Sequence, residues 1–213
     1  MRIRLITVMF HPKVVIESHA RSNFAAQHLA AARYFQSVLR SIEEIQRPTK
    51  DQFAPPEYLH CWFGTVVFSV MALEANIYDV LTASDRGEQT PLGATPVPSE
   101  VHMQPILERY GFVWKTVLGQ NFDLGQGVSQ CTGVLIALRD EITHYKTEWR
   151  DRAPVSRKLE SMLKSRIKLN PFKCGNIFFP EQCVSAESAA WAVTTAHDFM
   201  ATFANRTGVR RNV

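Results

Sequence analysis

Apolar side chains recur along this chain at three- and four-residue steps, the period of helices rather than strands. From about Ser18 to Gln46 the positions Phe24, Leu29, Ala32, Phe35, Leu39 and Ile42 form one apolar face, and Pro48 ends the run. Pro55-Pro56 then opens a helix over about Glu57–Ala83 that is apolar on nearly every side, which predicts a central position. Prolines at 91, 96 and 98 with glycines at 87 and 93 make Ser84–Ser99 a loop. A third helix is expected over about Glu100–Gln120 and a fourth over Gly127–Lys146. The fourth carries Val128, Cys131, Leu135, Leu138, Ile142 and Tyr145 at alternating steps of 3 and 4, a bundle seam. An amphipathic basic helix follows over Pro154–Leu169, then a loop over Asn170–Val184 with Phe178-Phe179-Pro180 packed down by its aromatics. The alanine-rich stretch Ala186–Arg206 is the last helix, stopped at Gly208. Residues 1–17 read as an N-terminal arm or short strand, 18–206 as one domain and 207–213 as a basic tail. The pattern predicts an all-α helical bundle of five or six helices.

A chain of 213 residues with 46% apolar and 21% charged residues is long enough to bury a core and belongs to no disordered class. The apolar stretch Leu5–Phe10 is too short for a signal peptide, and the uncharged run Cys61–Leu73 is too short for a membrane span. Both point to a cytoplasmic protein with no membrane partner. Cys61 and Cys131 sit in helical runs as small hydrophobes, and Cys174 and Cys183 flank a loop. None has CxxC or metal-site spacing, and nothing suggests an oxidising compartment.

The net charge of +4 is unevenly placed: Lys146–Lys173 holds nine basic residues against three acids. Such a run is either a solvated helix face or a surface that tracks phosphates. On the second reading Arg150, Arg152, Arg157, Lys158 and Arg166 are the RNA-binding candidates.

Directly before that run stands the octet Arg139-Asp-Glu-Ile-Thr-His-Tyr-Lys146. Arg-x4–6-His occurs three times here, as Arg4/His11, Arg21/His28 and Arg139/His144. In a chain with many arginines and histidines such pairs arise by chance. Only Arg139 is followed by an acid and sits late in a seam-bearing helix. In RNA cleavage the 2′-OH attacks the neighbouring phosphorus, so a proton must leave and charge must be stabilised. His144 can move the proton, Arg139 can bind the charge, and Asp140, four residues before His144, can hold the imidazole's tautomer. No metal or cofactor enters this scheme.

Leu138–Lys146 resembles the signature of HEPN domains, all-α bundles whose motif is an arginine, a polar residue and a short spacer to histidine. Ala72-Leu-Glu-Ala-Asn-Ile77 resembles part of the helix that precedes the motif helix in bacterial members. The resemblance implies a HEPN-like bundle with Arg139 and His144 catalytic and Asp140 in the polar position. An acid there replaces an uncharged Asn and adds negative charge beside a phosphate. Many members are metal-independent RNases acting as toxins or in phage defence; others are inactive. A separate reading makes the chain half of a two-protein system with an antitoxin as its partner. The resemblance also implies a two-fold homodimer with paired motifs.

Five residues of helix separate Arg139 and His144 by about 140°, so one regular helix does not aim both at one phosphate. Either the helix loosens near Thr143 or a second copy supplies the opposite residue. Supporting candidates are Glu74, Asn76, Tyr145 and Lys146. Glu74 either braces Arg139 or is a satisfied structural acid. His60, His102, His144 and His197 come from four expected helices, a conceivable metal set without HExxH pairing. Trp149 is a base-stacking candidate beside the octet. The alternative to an endonuclease is an inactive helical dimer that binds RNA or protein.

Overall fold

The computed structural model describes residues 24–85, 90–93, 95–123, 125, 127–144, 157–175 and 178–209. The expected N-terminal arm, Tyr145, Lys146, Trp149, Arg150, Arg152, the Arg157 side chain and most of the basic tail lie outside them.

Seven α-helices appear among the described residues: α1 (Phe24–Gln46), α2 (Pro56–Asp85), α3 (Ser99–His102), α4 (Ile106–Leu118), α5 (Gly127–Thr143), α6 (Arg157–Lys164) and α7 (Ala186–Thr207). A single wide turn spans Phe178–Gln182. The all-α expectation therefore holds. No strand is found among the described residues, only an isolated parallel bridge between Phe53 and Lys173. The count exceeds the five or six expected because the third helix is two. Pro105 has no N–H and cannot continue α3, and it instead precedes the first residue of α4. The basic helix, described over Arg157–Lys164, ends earlier than the expected Leu169.

Helix α2 is the axis of the bundle, packed against α1, α4, α5 and α7. Its buried residues cover more than half of its circumference, with Trp62, Val66, Val70, Leu73, Ile77 and Leu81 fully enclosed along one stripe, while His60, Tyr78 and Asp85 on the other side are exposed. By length and composition alone it is apolar enough to cross a bilayer, and 56% of its most apolar stretch is buried within the bundle. Thr65 and Ser69 satisfy their hydroxyls inside it by donating to the carbonyls of Cys61 and Thr65. The expected contact of α2 with α5 is present, with Leu135 and Leu138 of α5 buried, but α2 packs most extensively on α1.

Three polar ties fix the register of these helices. Glu43 Oε1 of α1 accepts hydrogen bonds from the Tyr58 hydroxyl of α2 and from the Ala186 N–H that opens α7, the latter at 2.7 Å. Ser185 and Ser188 form a reciprocal cap on α7, and Trp62 Nε1 donates to Ser188 Oγ at 2.7 Å. The Tyr110 hydroxyl of α4 lies 2.9 Å from the Leu73 carbonyl and 3.0 Å from the Asn76 amide oxygen, so its proton serves either. Gly208, at φ 72°, adopts the left-handed conformation that ends α7.

The 170–184 loop is pinned as expected. Phe172, Phe178 and Phe179 are buried, and Asn170 donates to the Glu181 carbonyl. All four cysteines are free thiols, Cys174 and Cys183 included.

Candidate functional site

Helix α5 carries Arg139 into a cleft of about 800 Å³ where α1, α2, the α3–α4 turn and α5 meet. The arginine's stem packs along the bundle and leaves the side chain 23% exposed. Its Nε is buried and 2.9 Å from Asp140 Oδ1, close enough for attraction but not aligned as a hydrogen bond. Among the described residues the guanidinium makes no hydrogen bond, and Arg139 lines the cleft.

Asp140 therefore attends Arg139 and is not paired with His144, the expected use of its i, i+4 position. The side chains at 139 and 140 meet because both line the cleft edge of the helix. His144 follows the last residue of α5 and is exposed. Its backbone N–H still bonds the Asp140 carbonyl at 2.9 Å, so the helix does not loosen near Thr143. Thr143 adds to this regularity by donating to the Arg139 carbonyl at 3.1 Å. Of the two solutions to the angular divergence, local unwinding is removed. His144 does not line the cleft that Arg139 enters.

Glu74 lines the same cleft but pairs with Arg109 at 3.1 Å, not with Arg139. Of the two readings of Glu74, the brace on Arg139 is not formed, and the acid is satisfied by Arg109 with its side chain about half exposed. Asn76 is buried and held by Tyr110, a packing role rather than a site role.

Arg109 escaped the sequence reading. Its side chain is 8% exposed, its one hydrogen bond among the described residues goes to Glu74, and its Nε has no acceptor. A signal was available: Ile106, Arg109, Tyr110 and Val113 share the buried face of α4, and a charge on such a face needs a reason.

His102 was also missed as a site residue and considered only for a metal. It lines the cleft at the end of α3, with Nε2 3.1 Å from Asp85 Oδ2 at the end of α2 and its ring against the edge of Tyr78. His28 lines the cleft from α1, between the rings of Phe24 and Phe68. The four histidines weighed as a metal set are not gathered: His60 and His197 are exposed elsewhere, the latter against Asp198. Among the described residues, no group of three or more His, Cys, Asp or Glu is arranged to hold a metal.

The basic run divides. Lys158 is exposed. Arg166 is half-buried and donates to the Met162 carbonyl at 2.7 Å and to Gln130 of α5 at 2.9 Å, a structural clamp in place of the expected phosphate contact. Lys164 pairs with Glu160, Lys168 with Glu187, and Lys173 lies over the Phe53 ring. Most of the described run is thus engaged locally, which fits the solvated-face reading.

Comparison of the chain with family models, characterised proteins and solved structures gives no match.

Proposed function

We propose that this chain is a HEPN-like, metal-independent RNA endonuclease that works as a two-fold homodimer in the cytoplasm, as a toxin or phage-defence effector. The observation that carries the reading is the disposition of α5. Arg139 lines a cleft, while His144 stands exposed at the tip of an unbroken helix. A second copy facing the first brings His144 of one protomer to the phosphate bound by Arg139 of the other.

The chemistry follows from those side chains. Arg139 presents a planar fork to the phosphorane's equatorial oxygens as their charge grows. An imidazole moves a proton between the ribose and the leaving oxygen. The Asp140 carboxylate beside Arg139 keeps the guanidinium from swinging out of the cleft, at the cost of some attraction for phosphate.

That proximity of Asp140 also favours a second reading, an inactive helical dimer that binds RNA or a protein such as an antitoxin. One experiment separates them. Purified protein in excess EDTA is incubated with RNA and with DNA of the same sequence, beside Arg139→Ala and His144→Ala. The nuclease reading expects 2′,3′-cyclic phosphate ends, intact DNA, and losses on the order of 10²–10⁴-fold in His144→Ala. Sedimentation in the micromolar range should show a dimer. RNA left intact by the wild type, with binding retained, selects the inactive module.

A further inference from the structure

Transesterification of RNA moves two protons, one off the 2′-OH and one onto the departing 5′-oxygen, and the Arg139/His144 pair offers a single imidazole per phosphate. We propose that His102, positioned by Asp85, is the second: the general base of the cleft, with His144 of the facing protomer as the general acid. This inference rests on the nuclease reading above and assigns the step that reading leaves unfilled.

Three observations converge on His102. It lines the same cleft as Arg139 and Arg109, on the same chain, whereas His144 does not. Its Nε2 lies 3.1 Å from Asp85 Oδ2, and a carboxylate there attracts a proton to Nε2, the arrangement that leaves the lone pair on Nδ1 for a substrate. Its side chain is 25% exposed, enclosed enough to be held and open enough to be reached. His102 closes α3 and Arg109 lies in the first turn of α4, so both reach the cavity from either side of the Pro105 break. Arg109, buried and with an unfilled Nε, adds a second guanidinium to the wall facing the phosphate. Tyr78 limits the imidazole's rotation from the α2 side.

The step balances. Nδ1 of His102 takes the proton from the 2′-OH as the 2′-oxygen–phosphorus bond forms. The phosphorus–5′-oxygen bond breaks with its electron pair on oxygen, and His144 of the facing protomer delivers a proton there. The products are a 2′,3′-cyclic phosphate and a 5′-hydroxyl, and solvent resets both imidazoles.

A leaving-group experiment separates base from acid. Wild type, His102→Ala, Asp85→Asn and His144→Ala are assayed in EDTA on RNA and on uridine 3′-(4-nitrophenyl phosphate), whose nitrophenolate departs without a proton. On RNA, His102→Ala and His144→Ala should each lose on the order of 10²–10⁴-fold. On the nitrophenyl ester, His144→Ala should return to within about tenfold of wild type while His102→Ala keeps its full loss. Asp85→Asn should fall between wild type and His102→Ala on both substrates. Thermal melts report whether each variant is folded, and His102→Gln repeats the test if the alanine variant is not. Rescue of His102→Ala by the activated ester, or wild-type rates in that variant, overturns the assignment and leaves the nuclease reading standing. A wild type inactive on both substrates overturns that reading and the assignment together.

Discussion

Removing the carboxylate of Glu43 should loosen three helices at once. Glu43 Oε1 accepts from Tyr58 of α2 and from the first N–H of α7, a donor that has no partner within its own helix. The acid also sits at the positive end of α7's dipole. Hydrogen bonds to a charged group contribute about 1.5–3 kcal/mol each, and partial exposure of Glu43 reduces this. Glu43→Ala should therefore cost about 2–4 kcal/mol, and Tyr58→Phe about 1–2 kcal/mol because the ring keeps its edge contact with Phe172. The double variant should cost less than the sum, with a coupling of about 1–2 kcal/mol. Urea unfolding followed by far-ultraviolet circular dichroism measures all three, with exposed Glu44→Ala as a control expected within about 0.5 kcal/mol of wild type. Additive single effects, or a Glu43→Ala cost below about 1 kcal/mol, refute the claim that this acid joins the helices.

Alkali should destabilise the fold in two stages. Burial raises the thiols of Cys61 and Cys183 and the hydroxyls of Tyr58 and Tyr110, so the folded chain retains protons that the unfolded chain releases. Stability is then fully present below the unfolded values and falls as pH rises, first above about pH 9 for the thiols and more steeply above about pH 10 for the tyrosines, by up to about 1.4 kcal/mol per pH unit for each group. Urea midpoints that stay level from pH 8 to 10.5 contradict this. Gly64→Ala puts a methyl carbon 2.9 Å from Phe35 Cδ2 and should cost about 1–3 kcal/mol, part of it recovered by Phe35→Leu; a neutral Gly64→Ala shows that the ring can yield. For RNA binding, Lys158→Ala should lower the salt slope by roughly 0.7 while Arg166→Ala lowers the melting temperature and leaves the slope unchanged; the reverse pattern restores Arg166 as a phosphate contact.

Periodicity carried the long helices well, since each buries a continuous stripe: Leu29, Ala32 and Leu39 on α1, or Leu135 and Leu138 on α5. It failed at residues 103–105, where Pro105 was read through because apolar residues continue at helical spacing on both sides. The site was half legible. Arg139 announced itself through the Arg–Asp–His spacing and does reach a cleft. His102 and Arg109 did not, because no local spacing links them to Arg139 and their partners, Asp85 and Glu74, lie on another helix. Local spacing also misassigned Asp140: its neighbour at i−1 won over its neighbour at i+4, since Arg139 is held at the cleft while His144 is free at the helix tip.

Helix α2 carries the Glu43 tie near its start, at Tyr58, and the cleft near its end, at Glu74, Tyr78 and Asp85. At 1.5 Å per residue, Tyr58 and Tyr78 stand about 30 Å apart on one rod. The residues that hold the bundle together and those that line the cleft are thus different letters of the same helix, separated by about five turns of apolar core. Mutational drift at the cleft end can alter what the chain recognises while the far end keeps it folded, so descendants of this scaffold have room to exchange one chemistry for another.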